Sequence, residues 1–214
     1  LARNPDDPAI VSNLTTLFGL FDDPVRPVEA SYQPRTGTIS GDPTGTTVGK
    51  GMRIHGLNAR WIQGHPGSEP QSGAQRRLMD LLETDPGQRS PDKYIKGHVL
   101  NHNLGGIGDE RNMYPITGNA NSRHYYAIER QVVNWVTGAG NQNNWAIYEV
   151  DVVGESADLR AGRPVQENKV DATLQCRAVL KDQSGRDRET IMATITSTYR
   201  QRQASERFVV GGRG

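Results

Sequence analysis

The sequence predicts an α+β fold built on an antiparallel sheet with few helices. Three observations carry that expectation. Apolar and polar residues alternate with period two through WAIYEVDVV, ATLQCRAVLKD and RETIMATITST in the last third of the chain. One stretch of helical period precedes them, and 24 glycines with 12 prolines cut the rest into short pieces.

Composition narrows the class. A chain of 214 residues can bury one sizeable core. Its 34% hydrophobic and 23% charged residues make it polar and loop-rich, without the composition of a disordered protein. Lys plus Arg number 25 against 24 Asp plus Glu, a net charge of +1, so there is no global field and a polyanion must be bound by a local basic cluster. The single cysteine, Cys176, rules out an internal disulfide, and no CxxC or Cys/His array has zinc-ligand spacing. No apolar run is long enough to predict a membrane segment. The start, LARNPDDPAIVSNL, has neither an initiating Met nor the apolar stretch of a signal peptide, so the chain reads as a domain cut from a longer protein and the compartment stays open.

Residues 1–50 are expected to be an arm or linker: two apolar patches, Ile10 to Leu20 and Val25 to Tyr32, then PRTGTISGDPTGTTVGKG. Residues 51–205 would form the main domain and 206–214 a flexible tail. MRIHGLNARWI, from Met52 to Ile62, suits a strand pair or one kinked strand, and HPGSEPQSG a loop. Leu78, Leu81 and Leu82 place a short amphipathic helix over Ala74 to Glu83, stopped by Pro86. Tyr94 to Leu100 reads as a strand and NHNLGGIGDERN as a turn-rich loop. Thr117 or Asn119 caps a helix reaching about Val136, with Gly138 ending it. Ser184 and Gly185 supply a hairpin turn between the last two strands.

The segment dense in chemistry is residues 94–132, where His, Asn and Glu cluster around a strand, a glycine-rich loop and a helix. Phosphodiester hydrolysis needs a base for water, a cation for the pentavalent phosphate, and positive charge on the non-bridging oxygens. His98 ends the strand after Gly97, whose missing side chain would let phosphate approach the imidazole; its alternative is a half-buried strand histidine. Asn121 lies in the first helical turn, where an amide oxygen binds a hard cation or simply caps. Glu129 follows by eight residues, about 12 Å along and about 80° around an α-helix, so it would act through a metal-bound water or else be a solvated carboxylate. His124 sits one turn beyond Asn121 and is expected in a supporting role at phosphate or the metal shell, with packing as its alternative. His102 is the rival base. Arg53, Arg60, Lys96, Arg111 and Arg123 are the nearest basic residues for a phosphate clamp.

These residues resemble the non-specific DNA/RNA endonucleases of the ββα-metal (His-Me finger) superfamily. IKGH at 95–98 takes the place of that family's Asp-Arg-Gly-His, NMYPIT at 112–117 looks like its Asn-(apolar)-x-Pro segment, and NANSRHYYAIE at 119–129 looks like its Asn-to-Glu helix. The resemblance covers about forty residues. It implies a ββα-metal finger core, His98 as general base, Asn121 as direct Mg2+ ligand with Mn2+ as a substitute, Glu129 as holder of a metal-bound water, and Asn112 as a hydrogen-bonding residue near the site and its substrate. Ile95 and Lys96 depart from the signature; Lys96 keeps the catalytic charge but loses bidentate geometry. KGH, LNHNLGG and PIT are similar to nuclease domains of bacterial secreted or injected toxins, which implies a nucleic-acid substrate, an immunity or carrier partner, and delivery into target cells. The alternative is a nuclease-like module without catalysis that serves as binding or cargo domain.

Overall fold

The computed structural model describes residues 29–85, 90–139 and 143–199. The expected apolar patch from Ile10 to Leu20 and the expected tail lie outside them. Strands β1 (Ser31–Thr38), β2 (Thr47–Leu57), β5 (Trp145–Asp158), β6 (Lys169–Lys181) and β7 (Asp187–Ser197) form one antiparallel sheet in the order β1-β2-β5-β6-β7. From Ser31 onward the expected arm is therefore part of the sheet, and the boundary at residue 50 falls inside β2.

Alternation sets which face is which. Met52, Ile54, Tyr148, Val150, Cys176, Ala178 and Ile195 are buried on one side, while the cross-strand row Arg53, Glu149, Arg177 faces outward. The β6–β7 turn is the expected one: Asp182 Oδ1 accepts from the Ser184 and Arg186 amides, and Gly185 takes φ +81°.

The helical stretch begins where Thr117 Oγ1 accepts from the Ala120 amide. It runs as α3 (Gly118–His124), a π-helical turn over Tyr125–Glu129, and α4 (Arg130–Thr137), labelled after the two short helices α1 (Ala59–Gly64) and α2 (Arg76–Met79). Ile128, Val132, Trp135 and Val136 are buried beneath it, each burial contributing roughly 1.5–3 kcal/mol. The expected helix over Ala74 to Glu83 is a single turn. Gln75 sits at φ +56° and its amide donates to the Met113 carbonyl at 2.6 Å, holding the chain out of helical geometry at that end.

In front of the composite helix stands a two-stranded hairpin, β3 (Tyr94–His98) with β4 (Met113–Thr117), in register from Tyr94 opposite Thr117 to His98 opposite Met113. Strand, strand and helix in that order are the ββα finger, and the fold is the α+β class expected.

Candidate active site

The site is built where β3, its long connection to β4, and the composite helix meet. Gly97 is required by packing. A Cβ there would lie 2.3 Å from Ile116 Cδ1, 2.4 Å from Ile116 Cγ1 and 3.4 Å from Asn121 Oδ1. The absent side chain therefore admits the helix bearing Asn121 against the strand, a correction to the expectation that it makes room for phosphate.

The loop after α1 folds over the β3–β4 connection. Ser68 donates its amide to the Gly106 carbonyl at 3.1 Å and Gln71 its amide to Gly108 at 2.7 Å. The fit is backbone to backbone: a Cβ on Gly108 would stand 1.9 Å from the Glu69 carbonyl oxygen. Two side chains complete the clasp. Lys96 Nζ donates to the carbonyls of Gln71 (2.8 Å) and Ser72 (3.1 Å), and His98 Nε2 lies 2.9 Å from the Ser68 carbonyl oxygen.

A carbonyl can only accept, so His98 carries its proton on Nε2 and leaves Nδ1 as a free acceptor. Burial holds its pKa below the ordinary 6.5 against the opposing pull of the Ser68 carbonyl, with His102 adding to the depression. The imidazole is neutral at neutral pH, the state a base requires. The His102 ring centroid is 5.7 Å away, and its Nε2 is 3.9 Å from Glu69.

The π-helical turn sets the other wall. Eight residues of regular α-helix would put Glu129 about 80° around from Asn121. The π turn absorbs one extra residue, so the same eight advance like seven and land within about 20°. Asn121, Tyr125 and Glu129 accordingly line one cleft of about 340 Å³ with His98, Asn101 and His102. The strained separation expected from even α-geometry is removed.

Glu129 is 2% exposed. Its Oε2 accepts from Asn101 Nδ2 at 2.9 Å, while Oε1 has no hydrogen-bond partner among the described residues. His124 Nδ1 stands 3.5 Å from Oε1, an approach without hydrogen-bond geometry. Burial pushes the Glu129 pKa up to about 8, opposed only by the Asn101 bond. Among the described residues no three His, Cys, Asp or Glu side chains group as metal ligands. The donor set instead pairs an amide oxygen with a carboxylate, the hard oxygen chemistry of Mg2+ or Mn2+. Glu129, with one carboxylate oxygen left without a hydrogen bond, lines the same cleft as that amide, and the pair fits such a cation.

Residues 70–172 match the family model described as DNA/RNA non-specific endonuclease. The match covers a little under half of the chain and includes every cleft residue named above except Ser68 and Glu69. That likeness supports a nuclease enzyme, and the family it resembles is generally dependent on divalent metal. No curated protein and no solved structure matches it significantly.

The structure brings together His98, Lys96, Asn121 and Glu129 and separates the other expected residues. Arg53 lies on the outer sheet face, paired with Glu149 at 2.9 Å, and is no part of the cleft. Arg123 is exposed on α3 outside the cleft lining. His124 is 1% exposed, its Nε2 2.9 Å from the Tyr148 hydroxyl, and burial drives its pKa to about 4, so it is a packed neutral imidazole that cannot reach substrate. Asn112 is 2% exposed; Oδ1 accepts from the Leu100 amide and Nδ2 donates to the Leu100 and Ile107 carbonyls. Every polar atom of Asn112 is consumed in shaping the connection, which removes it from substrate contact. Ile95, the other departure from the signature, is buried in the core.

Three contributors were not anticipated. Asn101 sat within the loop motif LNHNLGG, whose repeated asparagines were its only signal. Ser68 acts through a backbone carbonyl and Tyr148 through the fold, so neither had one.

Proposed function

We propose that this chain is a Mg2+-dependent endonuclease, with Mn2+ as substitute, that hydrolyses phosphodiester bonds of DNA, RNA or both. The observation that carries the reading is the single cleft walled by His98 on one side and by Asn121 and Glu129 on the other, inside the matched stretch.

His98 Nδ1 takes the proton from the attacking water, while Nε2 stays on the Ser68 carbonyl and keeps the ring from turning. The depressed pKa keeps that nitrogen unprotonated at neutral pH. Asn121 Oδ1 and the Glu129 carboxylate would hold the cation, Asn121 directly and Glu129 from the outer side of its shell. A divalent cation bound there supplies the positive charge that offsets the developing charge on phosphate and leaving oxygen. Lys96 supports the cleft by tying down the loop that carries Ser68, a mechanical role in place of a phosphate clamp.

The test is digestion of supercoiled plasmid and total RNA, with and without chelator, by the wild type, His98→Ala and His102→Ala. Loss of about 10²–10⁴-fold in His98→Ala, little change in His102→Ala, and loss with chelator are expected. Undiminished cutting by His98→Ala removes the base; cutting indifferent to chelator removes the metal. The likeness of KGH, LNHNLGG and PIT to bacterial toxin domains supports a delivered toxin with an immunity or carrier partner. Growth arrest on expression in a bacterium, relieved by His98→Ala, is the outcome that role requires.

A further inference from the structure

Glu129 is a buried carboxylate with one neutral hydrogen bond, from Asn101, and no Lys or Arg ion pair among the described residues. A side chain so weakly held cannot keep a fixed position in a cleft unless something else constrains it. What stands behind it is His124. The two are five residues apart, which regular α-helix would set about 140° apart; the π turn brings them to about 40°, and Nδ1 comes to 3.5 Å from Oε1. On its far side His124 Nε2 is 2.9 Å from the hydroxyl of Tyr148, fully buried on β5 of the large sheet. A neutral imidazole has one proton. With the Tyr148 hydroxyl donating to Nε2, that proton sits on Nδ1, the ring nitrogen 3.5 Å from Oε1 in a close polar contact without hydrogen-bond geometry.

We infer that Tyr148 and His124 from behind, with Asn101 from the cleft side, form a buried network that positions the Glu129 carboxylate. This rests on the reading in which Glu129 faces a divalent cation. The three are positioning residues: none needs to touch substrate, and each acts through Glu129. The π turn is the structural reason the network exists, because it brings position 129 round toward both 121 and 124, so that Glu129 lines the cleft while His124 backs it from the sheet side. A purely structural His–Tyr pair would stabilise the core equally well, but would leave cation affinity unchanged.

The experiment uses the full chain and compares Tyr148→Phe, Asn101→Ala, Glu129→Gln and Tyr148→Phe/Glu129→Gln. Mn2+ binding is measured by calorimetry, and kcat and KM on plasmid DNA alongside. Removing only the Tyr148 hydroxyl is expected to weaken Mn2+ by about threefold to tenfold, and Asn101→Ala by about tenfold. The loss should appear in kcat with KM nearly unchanged. In the Glu129→Gln background, Tyr148→Phe should cost nothing further. Equal losses in both backgrounds, or unchanged Mn2+ affinity in both single variants, overturn the network. If Tyr148→Phe does not fold, Asn101→Ala against Asn101→Ala/Glu129→Gln gives the same comparison from the cleft side. A wild type that takes up no Mn2+ at all instead overturns the metal reading, so the two failures are told apart.

Discussion

Gly97→Ala adds one methyl group at the point where strand β3, strand β4 and the helix bearing Asn121 converge. Its Cβ would stand 2.3 and 2.4 Å from two carbons of Ile116, a residue 1% exposed, and 3.4 Å from Asn121 Oδ1. Gly97 is not among the positive-φ glycines, so backbone strain plays no part and the whole effect is steric. Overlap this close forces Ile116 off its rotamer or parts the helix from the strand, at a cost of about 1–3 kcal/mol. For a domain of this size that lowers Tm by roughly 2–12 °C. Parting the helix and strand also moves Asn121 away from His98, and a displacement near 1 Å in such a site costs on the order of 10²-fold in rate. The variant should therefore remain folded at 25 °C yet lose most of its nicking activity. Shortening the obstructing side chain in Gly97→Ala/Ile116→Val removes the Cδ1 overlap and should recover part of the Tm. Thermal melts and initial nicking rates measure both. Unchanged Tm and unchanged rate in Gly97→Ala would refute the claim that glycine is there for close packing of the two walls.

Three further outcomes are expected. In metal-free buffer Tm should fall as pH rises from about 6.5 to 8: Glu129 binds its proton more tightly folded (about 8) than unfolded (4.5), so stability drops as that proton is lost. His124, depressed to about 4 from 6.5, contributes the opposite slope only below 6.5, and saturating Mg2+ should flatten the fall; a rising Tm across that window would contradict the burial of Glu129. The acidic limb of kcat/KM should have its midpoint below 6.5, since burial lowers the His98 pKa; a midpoint above that value would point to a different base. Arg53→Ala and Arg123→Ala should leave kcat/KM within about twofold and stability within about 1 kcal/mol, because the exposed Arg53–Glu149 pair contributes little, and a large fall in kcat/KM would return them to the substrate path.

Much of the frame was legible because it depends on local periodicity. The alternation of Trp145 to Val153 and of Ala172 to Lys181, the Thr117 cap and the Asp182–Gly185 turn each encode one element within a few residues. The order His98, Asn112, Asn121, Glu129 was legible as well, and the structure gathers three of the four in one cleft. What could not be read depends on neighbours distant in sequence. Arg53 and His124 look like phosphate ligands until the register places one opposite Glu149 and the other beneath Tyr148. Ala74 to Glu83 has helical leucine spacing, but Gln75 is recruited by the Met113 carbonyl some forty residues away and the helix shrinks to one turn. The π turn leaves no mark in residue type, yet it decides whether Asn121 and Glu129 can share a face.

The charge balance of the cleft ties these details to the chemistry. The one Lys or Arg among its described lining residues, Lys96, spends its ammonium on two loop carbonyls, while Glu69 and Glu129 contribute carboxylates. With a net charge of +1 the chain offers no long-range field to offset this. A phosphodiester entering the cleft without a cation would therefore meet a region already negative once Glu129 ionises. A bound divalent cation would reverse that sign at the spot where the two walls meet. On the proposed reading the cation would be needed twice, to admit the substrate and to stabilise its transition state. On this argument chelation should weaken nucleic-acid binding as well as cleavage, and an oligonucleotide bound equally tightly with and without divalent ion would show that phosphate is held elsewhere.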